Sequence, residues 1–410
     1  MNRTAIVLGV VLAGGILAAQ ASVGRWLDPG QTNQQQQAAP PAPAAQESEP
    51  ISIGGEPVIT LTRPRLPQQS KPQFLEAVVL PGMGMNLLQL KAYFPGKGDI
   101  QVLTSMEPPD AKKFLETDND EFGTNSFRIG AAMLLPFANR IRGKLSDDGK
   151  TISTTVAGHA VSLPANFHGK NPGAEVHSIH GFIYDAKFED VKQNNGPIES
   201  TVSGVLHGGN FGGRWPSDTD VNLGMTLKNF SIDVYIIAKN VGNEEEPMGI
   251  TFHPYFEIPS GERKQARLHM PADQRVVVNN YDDVFPTGRI VPVKGTPYDF
   301  TAPDGAALGD LFMDDCFTDL TRDPDGSATI ELRDPASNYG LRIRALSAHI
   351  KAVQVYAPPD KNFVAIEPQF NLADPFDRRI WHDTDTGMVI LEPGKTTSWH
   401  VRLELFTLHR

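Results

Sequence analysis

Trp399-His400-Val401-Arg402-Leu403-Glu404-Leu405-Phe406 (WHVRLELF), near the end of the 410-residue chain, sets Val401, Leu403 and Leu405 against His400, Arg402 and Glu404 in strict alternation. Side chains two residues apart share a face of a strand, so this period predicts a half-buried β-strand. The same reading extends backwards. Ser231 to Ala238 (SIDVYIIA) is rich in β-branched residues and stops at a turn signal, Asn240 to Asn243. Ala328 to Arg333 (ATIELR) follows the turn Asp323-Pro324-Asp325-Gly326, and Gly340 to Ala345 (GLRIRA) alternates again. Ala352 to Tyr356, Phe363 to Ile366 and Met388 to Leu391 are further short strands. With 37 Gly and 33 Pro punctuating the chain, helices have little room, and Lys112 to Glu116 is one of few short candidates. Short strands and frequent turns over this length predict an all-β chain, a large antiparallel sandwich or barrel. Glu244-Glu245-Glu246 reads as a solvated hairpin tip.

Composition narrows the function classes. At 40% hydrophobic and 21% charged residues the chain can bury a sizeable core. A formal net charge of −11 lacks the basic footprint that nucleic acid requires. It likewise gives no reason for attraction to anionic lipid. The one cysteine, Cys316, leaves no intramolecular disulfide, and it reads as a small buried apolar residue.

Arg3, then the uncharged 15-residue stretch Ala5 to Ala19, then Ala19-Gln20-Ala21 have the form of a secretory leader with its cleavage site. The expectation is an exported protein, periplasmic or secreted, with residues 1–21 removed; an uncleaved N-terminal membrane anchor is the rival. Residues 22–50, rich in Gln, Ala and Pro, cannot bury enough apolar surface to offset ordering and read as a disordered linker. Residues 51–410 then form one domain.

Several segments carry chemistry. In Thr251-Phe252-His253-Pro254-Tyr255-Phe256 an ionisable His lies among aromatic rings, and Pro254 biases it toward extended backbone. Such a His can give or take a proton near neutrality; a hydrogen-bonded core histidine is the alternative. In Phe363-Val364-Ala365-Ile366-Glu367-Pro368-Gln369 a carboxyl closes an apolar strand. That is a general-base candidate, against a strand-end Glu with its head in water. Asn139 and Arg140 interrupt the apolar run from Leu135 to Ile141, and an inward Arg offers several directional donors. His177 and His180 are a weak metal pair without further ligands at recognised spacing. Asp314 and Asp315 flank apolar residues, as hydroxyl-holding carboxylates, a glycosidase pair or a capped turn.

Taken in order, these pieces resemble the aldose 1-epimerase (galactose mutarotase) family over roughly residues 75 to 406. They are Asn139-Arg140-Ile141, His180-Gly181, His253-Pro254-Tyr255-Phe256, Thr287 to Ile290 with Asp299-Phe300, Asp314 to Phe317, Glu367-Pro368-Gln369 and Leu391 to Gly394. The resemblance implies a β-supersandwich, a monosaccharide substrate such as glucose or galactose, and mutarotation without cofactor or metal. It assigns Glu367 as the base at the anomeric hydroxyl and His253 as the acid at the ring oxygen. His180 would sit near the ring oxygen, with Asn139, Arg140 and Asp314 on hydroxyls. From reference values near 4.3 and 6.5, Glu367 and His253 would both be charged over a shared window. Three departures bear on sugar specificity: no aromatic in Arg142 to Leu145, Phe182 after His180-Gly181, and Glu257 after Phe256. A non-catalytic carbohydrate binder, or a glycoside hydrolase or lyase on the same fold, are the competing readings.

Overall fold

The computed structural model describes residues 51–67 and 70–408, which belong to one compact unit, Glu49–Arg410. The leader expected at 1–21 and the linker expected at 22–50 lie outside the described residues. The alternation of the WHVRLELF segment resolves into two faces. It belongs to the strand Thr396–Thr407, paired antiparallel with Ile232–Asn240 on one side and Tyr339–Ala345 on the other. Trp399, Val401 and Leu403 are fully buried, and the facing rows Ile236↔Trp399, Val234↔Val401 and Ile343↔Leu403 carry apolar partners. On the opposite face Asp233 accepts from His400 Nε2 at 2.8 Å and Arg402 Nε at 2.9 Å.

This strand is central in a nine-stranded antiparallel sheet that runs from Glu189–Asn195 to Ala306–Ala307. An eleven-stranded antiparallel sheet packs against it. In spatial order its middle strands are Met313–Leu320, Ala352–Ala357, Phe363–Gln369, Thr251–Glu257, Ala131–Leu134 and Asn86–Phe94. The two sheets meet in one core. Phe252 touches Trp399 at 5.1 Å between ring centroids, and Trp399 Nε1 donates to Pro368 O at 2.7 Å. Each such side chain, fully buried, contributes roughly 1.5–3 kcal/mol. The fold is therefore all-β, a large antiparallel supersandwich. The short helix expected at Lys112 to Glu116 is Pro108–Leu115.

The acidic tip is a correction. Glu244 and Glu245 are exposed, but Glu246 opens the strand Glu246–Met248 and is fully buried. Thr219 Oγ1 donates to it at 2.7 Å, and burial pushes its carboxyl up to about 7. A charge run in sequence does not reveal that its last member pairs with Leu391 in a distant strand.

The core decides where the chemistry points. Phe252 and Phe256 on one strand, and Val364 and Ile366 on its neighbour, lie in the inter-sheet core. By the two-residue period, His253, Tyr255, Ala365 and Glu367 must face the other side of the large sheet.

Candidate active site

That outer face is the floor of a cleft of about 580 Å³. Tyr255 pairs with Ala365, and continuing this antiparallel register sets His253 opposite Glu367. Gln354, on the next strand, is the cross-strand partner of Glu367. The result is a polar row on a sheet whose reverse face is hydrophobic. His253 Nε2 lies 3.4 Å from Glu367 Oε1, with both side chains almost wholly buried. The ring of His253 packs against Tyr255 at 4.8 Å and His180 at 5.2 Å, and Phe127 packs on His180 at 4.9 Å.

The remaining expected residues converge on the same cleft. Arg140 Nη1 donates to Asn139 Oδ1 at 2.8 Å, and Arg140 Nη2 to Asp314 Oδ2 at 3.2 Å. Gln354 Nε2 donates to Asp314 Oδ1 at 2.6 Å, and Gln354 Oε1 accepts from Asn139 Nδ2 at 3.0 Å. The four side chains form a closed ring of hydrogen bonds, in which each fixes the orientation of the next. Asn139, Arg140, His180, His253, Asp314, Gln354 and Glu367 all line the cleft.

Its other walls are held by short backbone segments. Arg140–Ile141 pairs with Ser178–Ile179, and His180 N donates to Asn139 O at 3.0 Å. Asn139 and His180 both adopt left-handed backbone, with φ of 62° and 67°. Asn and His are among the non-glycine residues that adopt this region most readily, and the hydrogen bond between them helps to hold both there. Glycine is required at 181 on two counts: its φ is 71°, and a Cβ would come 2.2 Å from Leu135 O. The chain leaving Glu367 supplies the clamp. Asn371 accepts from Ala138 N at 3.1 Å and donates to Ala138 O at 2.9 Å. Asp374 N donates to Arg140 O at 2.6 Å, and Arg142 N donates to Asp374 Oδ1 at 3.1 Å. The segment that carries Glu367 thus also positions Asn139 and Arg140.

Electrostatics revise one expectation. Burial, then the neighbouring Asp314 carboxylate, pushes the Glu367 carboxyl well above the usual range, with Arg140 opposing. Burial, with Arg140 adding to it, lowers His253 to about 4. His180 is driven well below its ordinary value by burial, His253 and Arg140. A carboxylate–imidazolium pair at 3.4 Å has its own attraction, which opposes the burial shifts of both groups. Burial thus shifts both groups toward their uncharged forms, away from the reference values.

Gln354 and Asn371 were not singled out from sequence. Gln354 was legible, being the polar residue on the outward face of Ala352-Val353-Gln354-Val355-Tyr356; Asn371 gives no local signal. His177 is not beside the reacting pair: it is buried against Phe285 at 4.8 Å and Phe167 at 5.5 Å. Cys316 is buried, with Gln369 Nε2 3.5 Å from its sulfur. Among the described residues no three His, Cys, Asp or Glu group to hold a metal, and no helix is long and apolar enough to cross a membrane.

No protein of curated function matches the chain. Solved structures do. A galactose mutarotase-like protein from Clostridium acetobutylicum is 19% identical, with a TM-score of 0.64 over 86% of this chain and 99% of that one. A GalM/aldose epimerase homologue from C. elegans is 20% identical, with a TM-score of 0.62 over 86% and 99%. Galactose 1-epimerase from Lactobacillus acidophilus NCFM is 17% identical, with a TM-score of 0.57 over 86% and 99%. At these identities the likeness establishes the fold, a galactose mutarotase-like supersandwich. The sequence model of the aldose 1-epimerase family matches residues 102–404, which takes in every site residue named above. Family and fold together support a mutarotase-like function. The chain belongs to the aldose 1-epimerase family.

Proposed function

We propose that the protein is an aldose 1-epimerase, interconverting the α and β anomers of a free hexose such as glucose or galactose by acid–base ring opening and reclosure, without a cofactor. The observation that carries this reading is a carboxyl and an imidazole 3.4 Å apart on adjacent strands at the floor of one cleft.

The pair holds one proton, and the reaction moves it without loss. Glu367 as carboxylate takes the proton of the anomeric hydroxyl while His253 as imidazolium gives one to the ring oxygen, and the C1–O5 bond breaks. The open-chain aldehyde then faces a protonated Glu367 and a neutral His253. Burial shifts both groups toward these uncharged forms, so the low-dielectric floor stabilises the pair at the stage where the sugar is open. After rotation about C1–C2, the O5 hydroxyl attacks the other face of C1. His253 takes its proton and Glu367 returns one to O1. Arg140, Asp314 and Asn139 offer donors and acceptors to hydroxyls, and His180 stands beside His253 near the ring oxygen.

A pure binder needs no donor–acceptor pair buried together. A hydrolase needs a second free acid, whereas both oxygens of Asp314 are engaged, by Gln354 at 2.6 Å and Arg140 at 3.2 Å. We also propose that the protein is exported, with residues 1–21 as leader and 22–50 as a linker ahead of the catalytic unit 51–410.

Polarimetry tests the activity. Freshly dissolved α-D-glucose or α-D-galactose should relax faster with the protein than in buffer, and Glu367→Gln and His253→Asn should each abolish most of the acceleration. Binding of aldoses without acceleration favours the carbohydrate-binding reading, and cleavage of an oligosaccharide favours the hydrolase.

A further inference from the structure

Asp315 reads in sequence as one half of an acidic pair with Asp314, and the site described above uses only its neighbour. The strand Met313–Leu320 separates the two. Asp314 lines the cleft, whereas Asp315 shares the opposite face with Met313 and Phe317 of the inter-sheet core and is fully buried. A carboxyl buried among apolar side chains is costly unless its oxygens find donors. Both do. Arg275, on the neighbouring strand Ala272–Val278, pairs with Oδ1. The Tyr281 hydroxyl donates to Oδ2 at 2.9 Å, and Asp314 N donates to the same oxygen at 3.3 Å. The Arg275 guanidinium lies 3.8 Å over the ring of Tyr298, whose hydroxyl is 2.8 Å from that of Tyr281.

Tyr281 belongs to the loop 279–285, which joins Ala272–Val278 to Pro286–Pro292 and brings Tyr281, Asp282 and Val284 to the cleft. The loop is tied again on its other side. Asp282 accepts from Lys170 N and Asn171 N at 2.7 and 3.1 Å, and Asp283 accepts from Glu175 N at 3.1 Å. The facing loop 168–175, which leads into Ser178–Ile179 and then His180, therefore takes its place from the loop 279–285. Between the two anchors Val284 is buried with φ of 57°. A β-branched residue rarely enters the left-handed region and stays there only where its surroundings impose it. One anchor, Asp315, sits in the packed core; the other, at Asp282 and Asp283, joins loop to loop. Asp315 is thus the fixed point from which both loops are set.

Building on the epimerase reading, we propose that Asp315 is a positioning residue. Through the Tyr281 hydroxyl it fixes the two loops that wall the cleft, and through Asp314 N it fixes the strand that presents Asp314 to sugar hydroxyls. It lies on the far face of the sheet from Glu367 and His253 and takes no part in the proton transfers. Loosening it should weaken the hold on the sugar in the ground state and the transition state alike, which raises KM and leaves kcat unchanged.

The test measures anomer exchange of glucose and galactose, and amide hydrogen exchange, for the wild type, Asp315→Asn, Tyr281→Phe and the double variant. Asp315→Asn keeps the shape of the side chain. Tyr281→Phe deletes only a hydroxyl at the loop, and it tests the tether even if Asp315→Asn fails to fold. Each single variant should raise KM about tenfold, the worth of one buried hydrogen bond, with kcat unchanged. The double variant should raise KM no further than Asp315→Asn alone, because the two changes break the same bond. The amides of Lys170, Asn171 and Glu175 should exchange faster in both single variants, while those of Thr396–Thr407 keep wild-type protection. An unmoved KM, a fall in kcat at constant KM, additive effects in the double variant, or exchange that quickens equally in both sheets overturns the proposal and leaves the epimerase reading intact. A wild type that accelerates no anomer exchange overturns the epimerase reading itself, and the amide pattern alone then decides whether Asp315 sets the loops.

Discussion

Replacing Glu367 by Gln separates the two demands placed on this residue, chemistry and burial. Burial and the neighbouring Asp314 raise its carboxyl pKa, so an uncharged amide of the same shape relieves the cost of ionising the buried group. The consequence is a pH-dependent stability difference whose sign is fixed. The folded pKa lies above the unfolded value of about 4.3. The stabilising contribution of protonated Glu367 is therefore fully present below that value and is lost as pH rises toward the folded pKa. The substituted amide does not titrate and has no such loss. Through that window the variant gains on the wild type by up to about 1.4 kcal/mol per pH unit. At about 2 °C per kcal/mol for a unit of this size, the difference in Tm grows by up to about 3 °C per pH unit. Thermal unfolding of both proteins at pH 5, 6 and 7 and constant ionic strength reads it directly. Anomer exchange should fall by about 10²–10⁴ at every pH, the usual worth of a positioned proton acceptor. A Tm difference independent of pH would mean that burial does not raise the Glu367 pKa, and the electrostatic reading of the floor would be refuted.

His253 gives a complementary reading: with its pKa lowered to about 4 by burial, its imidazole ¹⁵N signals should remain those of a neutral ring from pH 7 to pH 5, and titration near 6.5 contradicts the burial argument. Asp314→Asn removes the second cause of the raised Glu367 pKa and one partner of Arg140. It should shift the alkaline limb of kcat/KM downward and lower kcat/KM by about 10- to 100-fold, the worth of a charge-assisted hydrogen bond; an unmoved limb removes Asp314 from the electrostatics of the pair. Asn371→Ala leaves both polar groups of Ala138 without their side-chain partner. Urea unfolding should register a loss of about 2–4 kcal/mol, and KM should rise because Asn139 and Arg140 lose their clamp; an unchanged KM makes Asn371 merely structural.

The strands were legible because their period survives in sequence: WHVRLELF, SIDVYIIA, ATIELR and GLRIRA all become members of the nine-stranded sheet. Glu367 and His253 were legible as an acid and an imidazole each closing or interrupting an apolar strand. What the pattern could not supply was their shared face, which depends on the antiparallel register between Thr251–Glu257 and Phe363–Gln369 across a long sequence separation. The direction in which burial shifts the pair was hidden for the same reason, since reference pKa values are local and desolvation is tertiary. Glu246 misled by its neighbours: the run Glu244-Glu245-Glu246 reads as solvated, yet the strand turns its last carboxyl inward to Thr219. Asn371 left no trace, because its work is to bind the backbone of Ala138 from another part of the chain.

The most direct measurement is a crystal structure with an aldose bound to the Glu367→Gln variant, which should hold the sugar without turning it over. The anomeric oxygen should lie within hydrogen-bond distance of the substituted amide and the ring oxygen within hydrogen-bond distance of His253 Nε2, with Arg140 and Asp314 on hydroxyls. A sugar seated with its anomeric carbon away from both side chains would contradict the proposal that one carboxyl and one imidazole open and close the ring.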